Sequence, residues 1–125
     1  MDKVNLAIIA AVVIILAGAG FFYFKQSSGP GPTNYDSFAK CLTEKGVKMY
    51  GAFWCTHCQN QKKAFGSSWQ YVDFVECSTP DGKSQMGECS AAEIKGYPTW
   101  DFGNGTRREG EVSFSEIGKL SGCAL

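Results

Sequence analysis

The sequence predicts an α/β domain, a mixed sheet with helices on both faces, set behind a separate apolar N-terminal segment. Three observations carry this reading. Strand-like and helix-like stretches alternate from residue 34 onward and close with a hairpin and a helix. Residues 4–24 (VNLAIIAAVVIILAGAGFFYF) hold no charged side chain. All six cysteines lie beyond that run, at positions 41, 55, 58, 77, 89 and 123. A chain of 125 residues has room for one ordinary domain and little more.

Taken in order, residues 1–24 are expected to form a single membrane anchor. As a helix, residues 4–24 would extend about 31 Å, close to the thickness of a bilayer core. Ala17-Gly18-Ala19 has the small-residue spacing of a signal-peptidase site, so a cleaved signal sequence is the alternative. The run outlasts a usual signal core, however. It continues through Phe21, Phe22, Tyr23 and Phe24, aromatic residues that suit a membrane interface. Residues 25–33 (KQSSGPGPT) read as a flexible linker, because Ser, Gly and Pro give no periodic apolar face. The globular domain is then 34–125.

Within it, Tyr35, Phe38, Ala39 and Leu42 fall at i, i+3, i+4 and i+7, the stripe of a short helix, with Asn34 as its cap and Gly46 as its end. Val47 to Trp54 reads as a strand interrupted by Gly51, and Cys55 to Phe65 as a helix stopped at Gly66. Tyr71 to Glu76 is a second strand by alternation, followed by a polar loop over Ser78 to Gly87. Ser90-Ala91-Ala92-Glu93 has the spacing of a capping box that opens a short helix ending before Gly96. Pro98 to Phe102 and Thr106 to Gly110 are strands around an Asn104-Gly105 turn. Ser113 to Glu116 is a second capping box, opening a last helix through Leu120 with Phe114 and Ile117 on its buried face. Trp69, Trp100 and Phe102 are expected to be core or near-site packing. Asn104-Gly105-Thr106 also matches a glycosylation sequon, but the hairpin turn accounts for it.

Twelve basic residues balance twelve acidic ones, which argues against a nucleic-acid partner. Lys3 and Lys25 flank the apolar run on opposite sides, so charge decides its orientation weakly. Cysteine usage decides better. An even number in a small domain points to disulfides and an oxidising compartment. The domain is therefore expected on the periplasmic or extracellular face of the cytoplasmic membrane.

Cys55-Thr56-His57-Cys58 carries the chemistry. Two cysteines separated by two residues, where a strand turns into a helix, can close a small redox-active disulfide. Cys55 would sit at the helix N-terminus, where unpaired N–H groups and the peptide dipoles favour a thiolate. His57 would add positive charge or a hydrogen bond, and a stabilised thiolate makes the disulfide form more oxidising. Cys58, one turn on, could attack a mixed disulfide and release its partner. Two other readings remain open: half of a zinc site completed by Cys77, Cys89 or His57, whose spacing shows no knuckle, and a purely structural bridge.

The run MYGAFWCTHCQNQKKAFG (Met49 to Gly66), together with GYPTW (Gly96 to Trp100), resembles the thioredoxin superfamily. It is most similar to the thioredoxin-like domain associated with bacterial vitamin K epoxide reductase homologues, which share an FWCxHC-type motif, a VEC…EC pair and a YPTW segment. The resemblance covers about residues 36–125 and implies a three-layer α/β/α thioredoxin-like fold. It implies that Cys55 is the exposed nucleophile, Cys58 the resolving cysteine and Trp54 a shield before them, with Thr56 and His57 as the tuning pair. Pro98 matches a cis-proline facing the disulfide, which would expose the backbone of Tyr97 to an extended substrate segment.

Two departures weaken a reading as a general reductase. Thioredoxin carries a buried acid six residues before its first cysteine, where this chain has Met49, and its intervening pair is Gly-Pro rather than Thr-His. With Cys55 and Cys58 paired, four cysteines allow three connectivities. In the resembling domains the VEC…EC pair is a disulfide, which implies Cys77–Cys89 and leaves Cys41 with Cys123. A second redox pair relaying electrons is the alternative.

The expected function is that of a membrane-anchored thiol–disulfide oxidoreductase acting on proteins with thiols or disulfides. By resemblance, a quinone-linked membrane enzyme of the vitamin K epoxide reductase or DsbB type would reoxidise it. No cofactor or metal is implied for the domain itself. A reductase of the same fold and an inert, disulfide-stapled binding domain are the competing expectations.

Overall fold

The computed structural model describes the backbone of Lys3–Lys25 and all of Asn34–Leu125; within the first stretch, side chains are described for 3–5 and 8–16. The chain divides into two units, Met1–Thr33 and Asn34–Leu125. Of the linker expected at 25–33, Lys25 belongs to the first helix and 26–33 lie outside the described residues, as do the side chains of Phe21 to Phe24.

The first unit holds α1, Lys3–Lys25, a helix of 23 residues. Its described apolar side chains, among them Val4, Ile8, Val12, Val13, Ile14, Ile15 and Leu16, are all exposed. Consecutive positions are included, so apolar groups occupy every side of the helix. Among the described residues, no helix is long and apolar enough to cross a membrane. The described side chains of α1 stop at Leu16, short of a full span.

The second unit is an α/β fold on a four-stranded mixed sheet. Its elements are α2 (Asp36–Glu44), β1 (Lys48–Gly51), α3 (Thr56–Phe65), a 3-10 helix (Gly66–Tyr71), β2 (Asp73–Glu76), α4 (Gly87–Ala91), β3 (Thr99–Asp101), β4 (Arg107–Glu109) and α5 (Phe114–Ser121). The strand order is β2-β1-β3-β4. β1 and β2 are parallel, with Lys48 opposite Asp73 and Gly51 opposite Glu76. β3 runs antiparallel to β1, and β4 to β3, with Tyr50 opposite Thr99 and Trp100 opposite Arg108.

Successive side chains of a strand point to opposite faces, and β1 shows it. Met49 belongs to a cluster with Phe38, Leu42, Phe65, Trp100 and Ile117, drawn from α2, α3, β3 and α5. Tyr50 belongs to a second cluster with Cys77, Cys89 and Ile94 around α4. The sheet therefore carries packed apolar groups on both faces. The stripe expected on the first helix is buried at Phe38, Ala39 and Leu42, and Tyr35 meets Phe114 edge-on at 4.5 Å between ring centroids.

Several expected boundaries move. The strand read over Val47 to Trp54 ends at Gly51, because the chain turns there: the Cys55 N–H donates to the Ala52 carbonyl at 3.0 Å. The strand read from Tyr71 starts at Asp73, since Gly66–Tyr71 winds as a 3-10 helix. The capping box read at Ser90 is corrected. Ser90 lies inside α4, which begins at Gly87, and its hydroxyl donates to Gln85 Oε1 at 3.0 Å. Glu93 takes a φ of 56°, so it cannot serve as a third helical residue. The box at Ser113 forms by one limb only. Ser113 Oγ accepts from the Glu116 N–H at 3.2 Å, but the Glu116 carboxylate is taken by Arg108 Nε at 3.2 Å. Asn104-Gly105 turns as expected, with the Phe102 N–H donating to the Thr106 carbonyl at 3.0 Å.

Candidate active site

The site forms where β1 hands over to α3. Cys55 is the N-cap of α3, in extended backbone, and its sulfur accepts the Cys58 N–H at 3.2 Å. One of the four otherwise orphaned amides of the helix start is thereby aimed at sulfur. The two cysteines are unbridged in this structure. Cys55 is 7% exposed and Cys58 is fully enclosed. Burial, and next the hydrogen bond with Cys55, pushes the Cys58 thiol up to about 12. Cys58 is thus a sulfur that holds its proton; Cys55, expected to be exposed, is itself buried and keeps only the small opening that the pair has.

Gly51 makes room for that buried thiol. A Cβ there would lie 2.8 Å from Cys58 Sγ and 2.9 Å from Phe74 Cε2. The glycine that interrupts the apolar β1 run therefore marks a close approach by Cys58.

Across the site runs the segment before β3. The Tyr97–Pro98 peptide is cis, and Pro98 is fully buried. The Cys55 thiol points at the Tyr97 carbonyl, 3.7 Å away. Tyr97 is held from the far side by Gln85 Nε2, which donates to its hydroxyl at 2.8 Å. Trp54 stands edge-on to the Tyr97 ring, 5.9 Å between centroids, and its indole N–H donates to Ser78 Oγ at 2.9 Å. Trp54 and Phe53 remain about half exposed, an apolar rim beside the sulfur. Glu76 secures the rim from below, accepting the N–H groups of Phe53 and Ser78 at 3.2 and 3.0 Å. Thr56 opens α3 and is exposed.

His57 faces the other flank. Its Nδ1 lies 2.7 Å from Glu111 Oε1, and Asn60 Nδ2 donates to the same oxygen at 3.0 Å. Those two hydrogen bonds, Asn60 first, hold the Glu111 carboxyl below its usual range. Glu111 sits in the connection from β4 to α5, which Gln61 grips: the Val112 N–H donates to Gln61 Oε1 at 2.8 Å and Gln61 Nε2 donates to the Val112 carbonyl at 3.1 Å. A groove of about 330 Å³ runs along this flank between Asn60, Ala64, Val112 and Phe114. Neither Cys55 nor Cys58 lines it.

The other four cysteines form two bridges. Cys77 is bonded to Cys89 and Cys41 to Cys123, with Cα separations of 5.6 and 6.0 Å. Cys77 and Cys89 are therefore occupied and supply no zinc ligand here. Among the described residues, no group of three or more His, Cys, Asp or Glu is arranged to hold a metal ion. Met49, at the place of thioredoxin's buried acid, is a fully enclosed core residue. Glu111, Gln61, Glu76 and Ser78 escaped the sequence reading, and Gly51, read there only as an interruption of the strand, marks the close packing over Cys58.

No protein-family model matches the chain. Among curated proteins, it is 37% identical over 109 residues to the thiol-disulfide oxidoreductase LTO1 of Arabidopsis thaliana. That alignment covers 82% of this chain and 28% of the plant protein, so the chain spans little more than a quarter of the relative's length.

Proposed function

We propose that the chain is a thiol–disulfide oxidoreductase of thioredoxin-like fold, in which Cys55 exchanges sulfur with a substrate protein and Cys58 resolves the mixed disulfide. The observation that carries this is the asymmetry of the pair: a slightly exposed sulfur capped by an N–H at a helix start, over a fully enclosed, protonated one. In the oxidising direction, a substrate thiolate attacks Cys55 of the Cys55–Cys58 disulfide and Cys58 leaves as a thiolate that takes up a proton. A second substrate thiolate then attacks the substrate sulfur, the substrate leaves with its own disulfide, and the Cys55–Cys58 dithiol remains. The reverse sequence reduces a substrate, with Cys58 as the attacking sulfur of its last step. Tyr97 offers its carbonyl to an extended substrate strand, and Trp54 walls the site. The resemblance in sequence to a plant thiol-disulfide oxidoreductase supports the same reading.

We take the net direction as oxidising. Met49 stands where thioredoxin has an acid beside the buried cysteine, and His57 precedes Cys58 in the sequence where thioredoxin has proline, two features that disfavour a strong reductase. The uncharged run at 4–24 and the exposed apolar sides of α1 support a membrane tether, with the domain on the outer face of the cytoplasmic membrane. There the dithiol would be reoxidised by a quinone-linked membrane enzyme of the vitamin K epoxide reductase or DsbB type, at an effective concentration that tethering raises.

Alkylation after mild reduction separates this from an inert, stapled binding domain. One fast-reacting sulfur at Cys55 is expected, and equal slow reaction at both would contradict the proposal. Equilibration with glutathione tests the direction: a potential at or below about −270 mV, the thioredoxin range, would exclude the oxidant.

A further inference from the structure

We propose that Glu111 is a positioning residue for the Cys55–Cys58 couple, holding the His57 ring off the Cys55 sulfur and so moderating how oxidising the pair is. The inference rests on the oxidoreductase reading and goes beyond it, because Glu111 lies outside the motif.

The geometry is specific. An ionised carboxylate only accepts hydrogen bonds, so the proton of the 2.7 Å contact sits on His57 Nδ1. That N–H is then spent on Glu111 and is withheld from sulfur. Cys55 is left with the Cys58 N–H as its donor. His57 is the second residue of α3, two positions after the N-cap cysteine, and its side chain is 70% exposed, with the Glu111 carboxylate as its hydrogen-bond partner.

Glu111 itself is built into place. Asn60 donates to the oxygen that binds His57. On one side of Glu111 in the chain, the Gly110 N–H donates to the Pro98 carbonyl at 2.7 Å; on the other, Gln61 clamps both polar groups of Val112. The carboxylate is thus referenced to the helix that carries the cysteines and to the proline that faces them. Removing it frees the imidazole to turn its N–H to the Cys55 sulfur. That contact would stabilise the dithiol's thiolate form and make the disulfide a stronger oxidant.

The test is equilibration of the full chain with glutathione, in which two glutathione thiols reduce the Cys55–Cys58 disulfide to the dithiol and leave as one glutathione disulfide. Glu111→Ala is expected to shift that equilibrium about two- to fivefold toward the reduced protein, the range of an exposed charged contact. Glu111→Gln, which keeps an acceptor for Nδ1–H, is expected to shift it less. In a His57→Ala background, Glu111→Ala is expected to lose most of its effect. A shift toward the oxidised protein, an equal shift from Gln and Ala, or a full shift without His57 would each overturn the positioning role. Should the unmodified protein fail to equilibrate with glutathione at all, the oxidoreductase reading itself falls, so the two failures are distinct.

Discussion

Gly51 and Cys58 are matched in shape: the hydrogen of the glycine lies where a methyl group would stand 2.8 Å from the buried sulfur. β1 and α3 approach each other closely here, and the Cys58 thiol is enclosed by the contact.

Gly51→Ala is expected to destabilise the domain by about 1–3 kcal/mol, the usual cost of overpacking a tight core. Phe74 on the neighbouring strand blocks the escape route, its Cε2 being 2.9 Å from the added atom. Urea unfolding of the reduced protein measures it; an unchanged midpoint would show that Cys58 can shift freely.

Gln61→Ala is expected to cost about 1–3 kcal/mol, because it strands buried polar groups. The Val112 N–H and carbonyl lose their partners, and Trp100 Nε1 loses the Gln61 Oε1 acceptor at 3.3 Å. Gln61 is 4% exposed, so water does not replace them easily. The same unfolding measurement applies, and a loss below a few tenths of a kcal/mol would contradict the clamp.

The two bridges should contribute unequally. Cys77–Cys89 closes a separation of 12 residues and Cys41–Cys123 one of 82. On the chain-entropy account, removing the first by paired Cys→Ala substitution costs about 3 kcal/mol and removing the second about 4.5 kcal/mol. Melting of the two double variants tests the order, and a larger loss at Cys77–Cys89 would contradict the loop-closure account.

Much of the fold was legible from local pattern, and the exceptions share a cause. The stripe Phe38, Ala39, Leu42 and the Asn104-Gly105 turn follow from rules that act within a few residues. Ser90 obeyed the same kind of rule and misled, because Gln85 offered its hydroxyl a different partner. The 3-10 helix at Gly66–Tyr71 was invisible, since neither period of two nor of 3.6 describes it. At the site, Cys55 and Cys58 announce themselves by spacing, whereas Glu111 does not. It meets His57 across 54 residues, through a strand order that no local pattern encodes. Gln61, in the polar run QNQKK, reads as surface until β3 and the 110–113 connection close over it.

Stability of the dithiol form should fall in alkali. Cys58 is raised from an ordinary 9.0 to about 12, chiefly by burial. Between those values the unfolded chain has released the proton and the folded one has not, so rising pH favours unfolding; below pH 9 the contribution is complete. The Cys55–Cys58 disulfide form lacks this titration. Unfolding of both forms from pH 8 to 11 should therefore show the reduced protein losing stability relative to the oxidised one, and parallel curves would contradict the assignment of Cys58 as the proton-holding sulfur.

The most direct measurement is the mass of the intact protein after exposure to glutathione disulfide, comparing the unmodified chain with Cys58→Ala and Cys55→Ala. The account predicts no lasting adduct on the unmodified chain, which closes its own Cys55–Cys58 bond, one stable glutathione on Cys58→Ala, and none formed at a comparable rate on Cys55→Ala. Adduct formation on Cys55→Ala as fast as on Cys58→Ala, or on neither variant, would contradict it.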